Sequence, residues 1–256
     1  MRSLSRPYRL AVACTALLAL TACGGGGAES ATAGPSAEGV YGGTLTGSTS
    51  SAFQMLVLEN DEFWAMYGSQ TSTQFFVAGF LQGSGASNNG TFTSSNVRDF
   101  GFNPAIAGTA SANYNATAKT ISGAVAATAG TVTFAGGPIA GSLYNYDAPA
   151  QVSAVSGAWS LTALTGEGIS LNVSSTGSFS AVASFGCAFS GAMTPRASGK
   201  NVFNVSLSFG PSPCLLAGQP ASGIAIVYPV AAGRSQLIFA GMNPGRTAGT
   251  AAFGTR

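Results

Sequence analysis

The stretch Val202-Phe203-Asn204-Val205-Ser206-Leu207-Ser208-Phe209 alternates apolar and polar side chains from Phe203 onward. Successive side chains of a strand point to opposite faces. Phe203, Val205, Leu207 and Phe209 therefore share one face, and Asn204, Ser206 and Ser208 share the other. One face suits a core and the other a neutral, hydroxyl-rich surface. Working outward, Ile224, Ile226 and Tyr228 repeat the pattern, then Leu237 and Phe239, then residues 248–253. On the N-terminal side, Gly157-Ala158-Trp159-Ser160-Leu161 and Ile169-Ser170-Leu171-Asn172-Val173 lead through Ser175-Thr176-Gly177 to Ser178-Phe179-Ser180-Ala181. About eight strands joined by short turns read as an antiparallel meander, and closing such a meander into a barrel removes its exposed edges.

An earlier half of the chain has the same character. Gly39-Val40-Tyr41-Gly42-Gly43-Thr44-Leu45 opens it. Phe53-Gln54-Met55-Leu56-Val57-Leu58 and Glu62-Phe63-Trp64-Ala65-Met66-Tyr67 flank Asn60-Asp61, two residues that tolerate the positive φ of a tight hairpin. Strands are expected at 75–81, 91–97 and 109–114, with a hairpin of 119–127 and 131–134 around Ala129-Gly130. No segment after residue 39 carries a capped 3.6-residue apolar stripe, so helix should be nearly absent. The opening at 157–161 echoes that at 39–43, and the neighbourhood of Cys187 echoes that of residues 79–83; each unit spans roughly 100–110 residues, which suggests two related modules. The expectation is an all-β fold: an antiparallel meander forming one or two small barrels or sandwiches after a flexible tether.

The N-terminus sets the address. Arg2, Arg6 and Arg9 precede the apolar run of residues 10–20, which is far short of the ~20 residues that span a bilayer and fits the apolar region of a signal peptide. Leu20-Thr21-Ala22-Cys23 then resembles the lipobox of bacterial lipoproteins. The resemblance implies cleavage after Ala22, lipidation of Cys23 and an anchor of several acyl chains, each buried methylene contributing ~0.8 kcal/mol. Gly24, where an inner-membrane lipoprotein tends to carry Asp, implies the outer membrane, with the leaflet left open. Residues 24–38, rich in Gly, Ala, Ser and Pro, read as a tether, with order beginning near Val40.

Without the three n-region arginines, seven basic residues face eight acidic ones. Charged side chains are then far scarcer than the ~25% of ordinary soluble domains. No basic cluster remains, so nucleic-acid binding has no electrostatic footprint. Of the four cysteines, Cys14 leaves with the signal and Cys23 carries lipid. Cys187 and Cys214 are an even pair in an oxidising compartment, read as a disulfide. A two-thiol metal site is the competing use, with neither a His nor a CxxC motif to complete it.

Two short stretches resemble known barrels. Ala112-Asn113-Tyr114-Asn115-Ala116-Thr117-Ala118-Lys119-Thr120-Ile121-Ser122-Gly123 is similar to a late hairpin of transferrin-binding-protein-type barrels, and Gly157-Ala158-Trp159 to the first strand of avidin-like and lipocalin-like barrels. Both imply a barrel and transfer no ligand-contacting residue.

The absence of His removes the usual Ser-His and Cys-His nucleophiles and the commonest metal ligand. Gly83-Ser84-Gly85 is a broken fragment of a nucleophile elbow inside a Gly/Ser loop. Glu59, Asp61 and Glu62 are the one carboxylate group close enough in sequence to suggest glycosidase chemistry, against the plainer use as a solvated hairpin tip. Gly24-Gly25-Gly26-Gly27 lacks the flanking strand and helix of a phosphate loop. Four Asn-x-Ser/Thr sequons, at Asn89, Asn115, Asn172 and Asn204, are expected by chance in so Ser/Thr-rich a chain. Arg196, Lys200, Arg234, Arg246 and Arg256 would receive an anionic ligand if they met at one barrel mouth; scattered turn charges are the alternative. Phe63, Trp64 and Tyr67, near Phe75-Phe76, would line a pocket or pack a core. An integral membrane barrel is a further possible use of neutral alternating strands, disfavoured by the separate lipid anchor and by an ending of Phe253-Gly254-Thr255-Arg256.

The expected organisation is a signal peptide at 1–22, a lipidated Cys23 with a tether to residue 38, a β unit at 39–140, a connecting segment at 141–154 and a disulfide-bearing β unit at 155–256. The expected role is non-enzymatic: binding or surface interaction at the outer membrane, with the membrane and an unknown protein or small-molecule ligand as partners. No catalytic residue, cofactor, metal or nucleic acid is expected. Docking as an accessory subunit onto another envelope protein is the alternative.

Overall fold

The chain is described by a computed structural model over residues 35–71, 74–231 and 233–256. The expected signal peptide, Cys23 and the expected tether as far as residue 34 lie outside the described residues. Strands follow the alternation closely: β1 (Gly39–Thr46), β2 (Ala52–Val57), β3 (Glu62–Gln70), β4 (Phe75–Ser84), β5 (Ala86–Asn88), β6 (Thr91–Asp99), β7 (Ile106–Asn115), β8 (Thr120–Ala127) and β9 (Gly130–Gly137) make the first sheet. After a short helix, α1 (Val152–Val155), come β10 (Gly157–Ala163), β11 (Gly168–Val173), β12 (Ser178–Ala183), β13 (Ala188–Pro195), β14 (Phe203–Phe209), β15 (Pro220–Ala231), β16 (Arg234–Met242) and β17 (Gly249–Thr255). Turn chemistry explains the hairpins. Asp61 has φ 58° between β2 and β3, and Gly130 has φ 132° between β8 and β9.

All pairings are antiparallel. The second sheet closes when β10 pairs β17 through Thr162↔Phe253 and Ala163↔Ala252. The first closes when β4 pairs β6 through Leu81↔Asp99 and Gln82↔Arg98, with short β5 hanging from β6 outside the ring. Two eight-stranded barrels result, and closure leaves neither with a long free edge.

One end of each barrel is stopped by the segment that enters its first strand. In barrel 2, Ala150 and Val155 belong to the core, and the buried Trp159 Nε1 donates to the carbonyl of Val155 at 2.7 Å. In barrel 1 the stopper is residues 35–38. Ala37 is buried, its N–H donates to Ser87 Oγ (2.9 Å), and its carbonyl accepts from Tyr41 Oη (2.6 Å); the carbonyl of Pro35 accepts from Tyr114 Oη. Order therefore begins at least five residues before Val40, because a barrel end needs apolar and hydrogen-bonding cover that sequence periodicity does not report.

The two barrels belong to one compact unit. Outward side chains of β2, β3 and β4 (Leu56, Trp64, Met66, Phe80) meet Ile224, Tyr228, Ile238 and Phe253 of the other barrel in a shared core. This is why β2, β3 and β16 are buried on both faces whereas β12 and β14 alternate strictly. Gln236 locks the seam: fully buried, it donates to the carbonyl of Phe75 (3.0 Å) and accepts from Tyr228 Oη (2.7 Å).

Candidate functional site

The barrels differ in what fills them. In barrel 2 the inward residues of β11, β12 and β14 are buried throughout, and Trp159, Leu171, Phe179, Phe189 and Leu207 pack one continuous core. Its other end is covered by the loops joined through Cys187 and Cys214, which form a disulfide, with Leu216 buried beneath. In barrel 1 the inward residues Leu45, Ala110, Val125, Val132 and Phe134 are only half-buried although they face the lumen. They border a cavity of about 540 Å³, inside the ~300–1,000 Å³ range of small-molecule sites.

The antiparallel meander fixes which end is open. Thr46, Gln70, Asp99 and Ala127 end their strands at the end opposite residues 35–38, where Gly47-Ser48-Thr49-Ser50, Gly101-Phe102 and Ala129-Gly130-Thr131 border the cavity. Phe102 is 47% exposed at this rim. Deeper walls are apolar: Phe53, Met55, Phe63, Phe92 and Ile121. Phe53–Phe134 and Phe63–Phe92 meet edge to face, with ring centroids 5.6 and 5.7 Å apart.

One polar device interrupts this lining. Tyr67 Oη donates to Asp99 Oδ1 at 2.7 Å, and the same oxygen accepts the N–H of Gly101 at 2.9 Å. The register shift between Tyr67 and Gly68 re-aims the phenol. A Cβ at Gly79 or Gly101 would collide with it, so both glycines make room. Burial, then the hydrogen bond to Asp99 and its charge, push the Tyr67 phenol up, which keeps it a donor. Asp99 is the only formally charged residue bordering the cavity among the described residues.

The structure separates the aromatic group read from the sequence. Phe63 and Tyr67 line the lumen, whereas Trp64 and Phe75 lie in the core between the barrels and Phe76 is exposed. Alternation along β3 is the reason, since successive side chains of a strand point to opposite faces. The carboxylates at 59–62 sit at a hairpin tip, Glu59 exposed and Asp61 and Glu62 half-buried, and each is engaged by its own partner. Glu59 pairs with Arg196 (2.8 Å), Asp61 accepts from both the N–H and Oγ of Ser87, and Glu62 accepts from Trp64 Nε1 and Gln82 Nε2. Each is tied to partners of its own, which leaves no facing acid and base. Burial pushes the Glu59 carboxyl up, but its backbone hydrogen bond and Arg196 hold it below the usual carboxylate range.

Nor do the basic residues converge. Lys200 Nζ bridges Glu38 (2.7 Å) and Asp147 (2.8 Å); Arg246 donates to the carbonyls of Gln82 and Asn96 in barrel 1. Arg234 holds Thr255, and Arg256 lies 4.0 Å over the Trp159 ring while donating to the carbonyls of Ala154 and Ser156. Among the described residues no three Cys, Asp or Glu side chains assemble a metal site, and no helix is long and apolar enough to cross a membrane. Phe185 (73% exposed) and Leu215 (55%) stand out on the two loops that the disulfide joins.

Fold and site together define a double-barrel β protein with one filled and one hollow barrel. No protein-family model matches the chain, and no curated protein does. Solved structures similar to parts of it include a protein of unknown function of the DUF3598 family from Nostoc punctiforme PCC 73102 (10% identity, TM-score 0.25, covering 85% of this chain and 93% of that one). Transferrin binding protein B from Haemophilus parasuis (8%, 0.27, 80% and 53%) and from Neisseria meningitidis serogroup B (12%, 0.25, 85% and 43%) are also similar. At such scores the likeness bears no argument.

Proposed function

We propose that this chain is an exported lipoprotein, lipidated on Cys23 and held at the outer membrane, that binds a small, largely apolar molecule in the lumen of barrel 1 without transforming it. The observation that carries the reading is the contrast between the barrels: equal strand number and similar alternation, yet one packed solid and one holding about 540 Å³ behind an open rim. An apolar cavity of that size in a protein interior is a standing cost in lost packing, which a ligand offsets. The tether supports the arrangement. Residues 35–38 stop one end of barrel 1, so the open rim is at the opposite end from the point where the chain enters the barrel. The exposed Phe185 and Leu215 favour a second reading, docking onto another envelope protein through the disulfide-joined loops.

Two measurements test this. Fractionation of cells carrying Cys23→Ser should move the protein from membrane to soluble fractions; retention in the membrane contradicts the anchor. Titration of the full chain with uncharged N-phenyl-1-naphthylamine should give saturable fluorescence enhancement at one dye per chain. Absence of saturable binding overturns the lumen reading.

A further inference from the structure

The walls of the barrel 1 cavity specify more than apolarity, and, resting on the lumen reading above, we infer that its ligand carries a protonated amine, which Asp99 receives at the rim while the apolar skeleton fills the barrel. Three observations meet here. First, Asp99 is the final residue of β6, at the open end of the barrel, and borders the cavity; no Lys or Arg does so among the described residues. Its negative charge is thus uncompensated by any basic wall residue, and the apolar lining below it offers no screening. Second, the carboxylate is held on one side only. Oδ1 takes both hydrogen bonds, from Tyr67 Oη (2.7 Å) and Gly101 N (2.9 Å), while Oδ2 accepts none from any described residue. A carboxylate has about four acceptor positions, so a donor-bearing group has a fixed, vacant oxygen to meet. Third, the fixing is elaborate: a β-bulge aims Tyr67, and Gly79 and Gly101 leave space for the phenol that pins Oδ1. A carboxylate serving solubility alone needs no such support.

The polarity gradient sets the pose. A cation is costly in the deep lumen among Phe53, Met55, Phe92 and Ile121, and inexpensive at the rim, where Ser48, Thr49 and water remain in reach. A single apolar chain or ring system headed by one amine therefore enters tail first. An anion-headed molecule of the same shape meets Asp99 as a like charge. A neutral one gains the walls but not the charge-assisted bond.

The test uses the full chain carrying Cys23→Ser, so that no lipid anchor competes, and three probes of one shape: dodecylamine, dodecanol and dodecanoate, each displacing bound N-phenyl-1-naphthylamine below its micellar concentration. The amine is expected to displace dye at ~10–100-fold lower concentration than the alcohol, from the worth of one hydrogen bond to a charged group, with dodecanoate weakest of the three. In Asp99→Asn the advantage of amine over alcohol should vanish. If the alcohol matches the amine in the unsubstituted lumen, or the advantage persists in Asp99→Asn, the inference is overturned while the lumen reading stands. If the dye itself fails to bind, the lumen reading falls first. The comparison among the three probes needs no variant at Asp99, so it decides the matter even if Asp99→Asn does not fold.

Discussion

A pair of matched substitutions separates a hollow barrel from a filled one. Ala110 of β7 faces the lumen of barrel 1 and is half-buried; Ala181 of β12 faces the core of barrel 2, is 3% exposed and is flanked across the sheet by Leu171 and Phe189. Both are changed to Phe. In barrel 2 the added ring has no space, and forcing it in should cost ~1–3 kcal/mol or more through displaced neighbours. In barrel 1 the ring enters open volume. Full enclosure of a Phe side chain contributes ~1.5–3 kcal/mol, and roughly 0.5–1 kcal/mol of side-chain freedom is lost on fixing it. Ala110→Phe should therefore be neutral or stabilising by up to ~2 kcal/mol, and should weaken dye binding by occupying the cavity. Urea unfolding with the disulfide intact measures both, provided the slopes match that of the parent. Equal destabilisation by the two substitutions would refute the claim that the barrels differ in filling.

Further outcomes follow from the stoppers and clamps. Replacing both Cys187 and Cys214 by Ser should lower stability by roughly 3–4 kcal/mol in loop-entropy terms, and an unchanged urea midpoint would contradict that. Tyr41→Phe removes the buried donor to the Ala37 carbonyl (2.6 Å), so stability should fall by ~1–3 kcal/mol in calorimetry or urea titration, and no loss would mean that the stopper is not held this way. Burial, then neighbouring Tyr114 and Glu38, push the Tyr41 phenol up to about 12 from 10.0. The folded state thus favours the protonated form. The stability this contributes is complete below pH 10.0 and is lost as pH rises through about 12, which phenolate absorbance read against unfolding will follow. Glu59 behaves oppositely. Its carboxyl is held below the usual range, so its contribution is present above the ordinary carboxylate pKa and fades as pH falls through the lower folded value. Glu59→Gln should cost ~0.2–1 kcal/mol at neutral pH and flatten that acid limb; an unchanged acid limb would show the Arg196 pair to be idle.

Much of the fold was legible because alternation reports facing directly. The strand 203–209, the turn at Asp61 and the turn at Gly130 all lie where side-chain period and positive φ put them. The disulfide was legible from compartment and parity. Filling was not. Val132 and Phe134 in a hollow barrel alternate just as Ile169 and Leu171 do in a packed one, because period two says which face a residue is on and nothing about the volume beyond it. Asp99 lies beyond the strand expected at 91–97, and its place in the lumen emerges only when β3 brings Tyr67 across to it. The contact between barrels did leave a trace, since continuous apolar runs such as 55–58 and 237–240 mark strands buried on both faces. The carboxylates at 59–62 read as a hairpin tip rather than an acid–base pair, but their partners Arg196, Ser87 and Gln82 come from other segments of the chain that sequence proximity does not reveal.

A ligand seated in barrel 1, and not on the outer surface, leaves its mark on the lumen strands. Photolabelling the full chain with an apolar diazirine probe, followed by peptide mapping, tests it most directly. Lumen positions, Met55, Phe63, Phe92 and Ile121 among them, should be labelled saturably, and excess unlabelled ligand should suppress that labelling. Labelling concentrated on Phe185, Leu215 and the disulfide-joined loops, with the lumen strands unmarked, would contradict it and point instead to docking through that end of barrel 2.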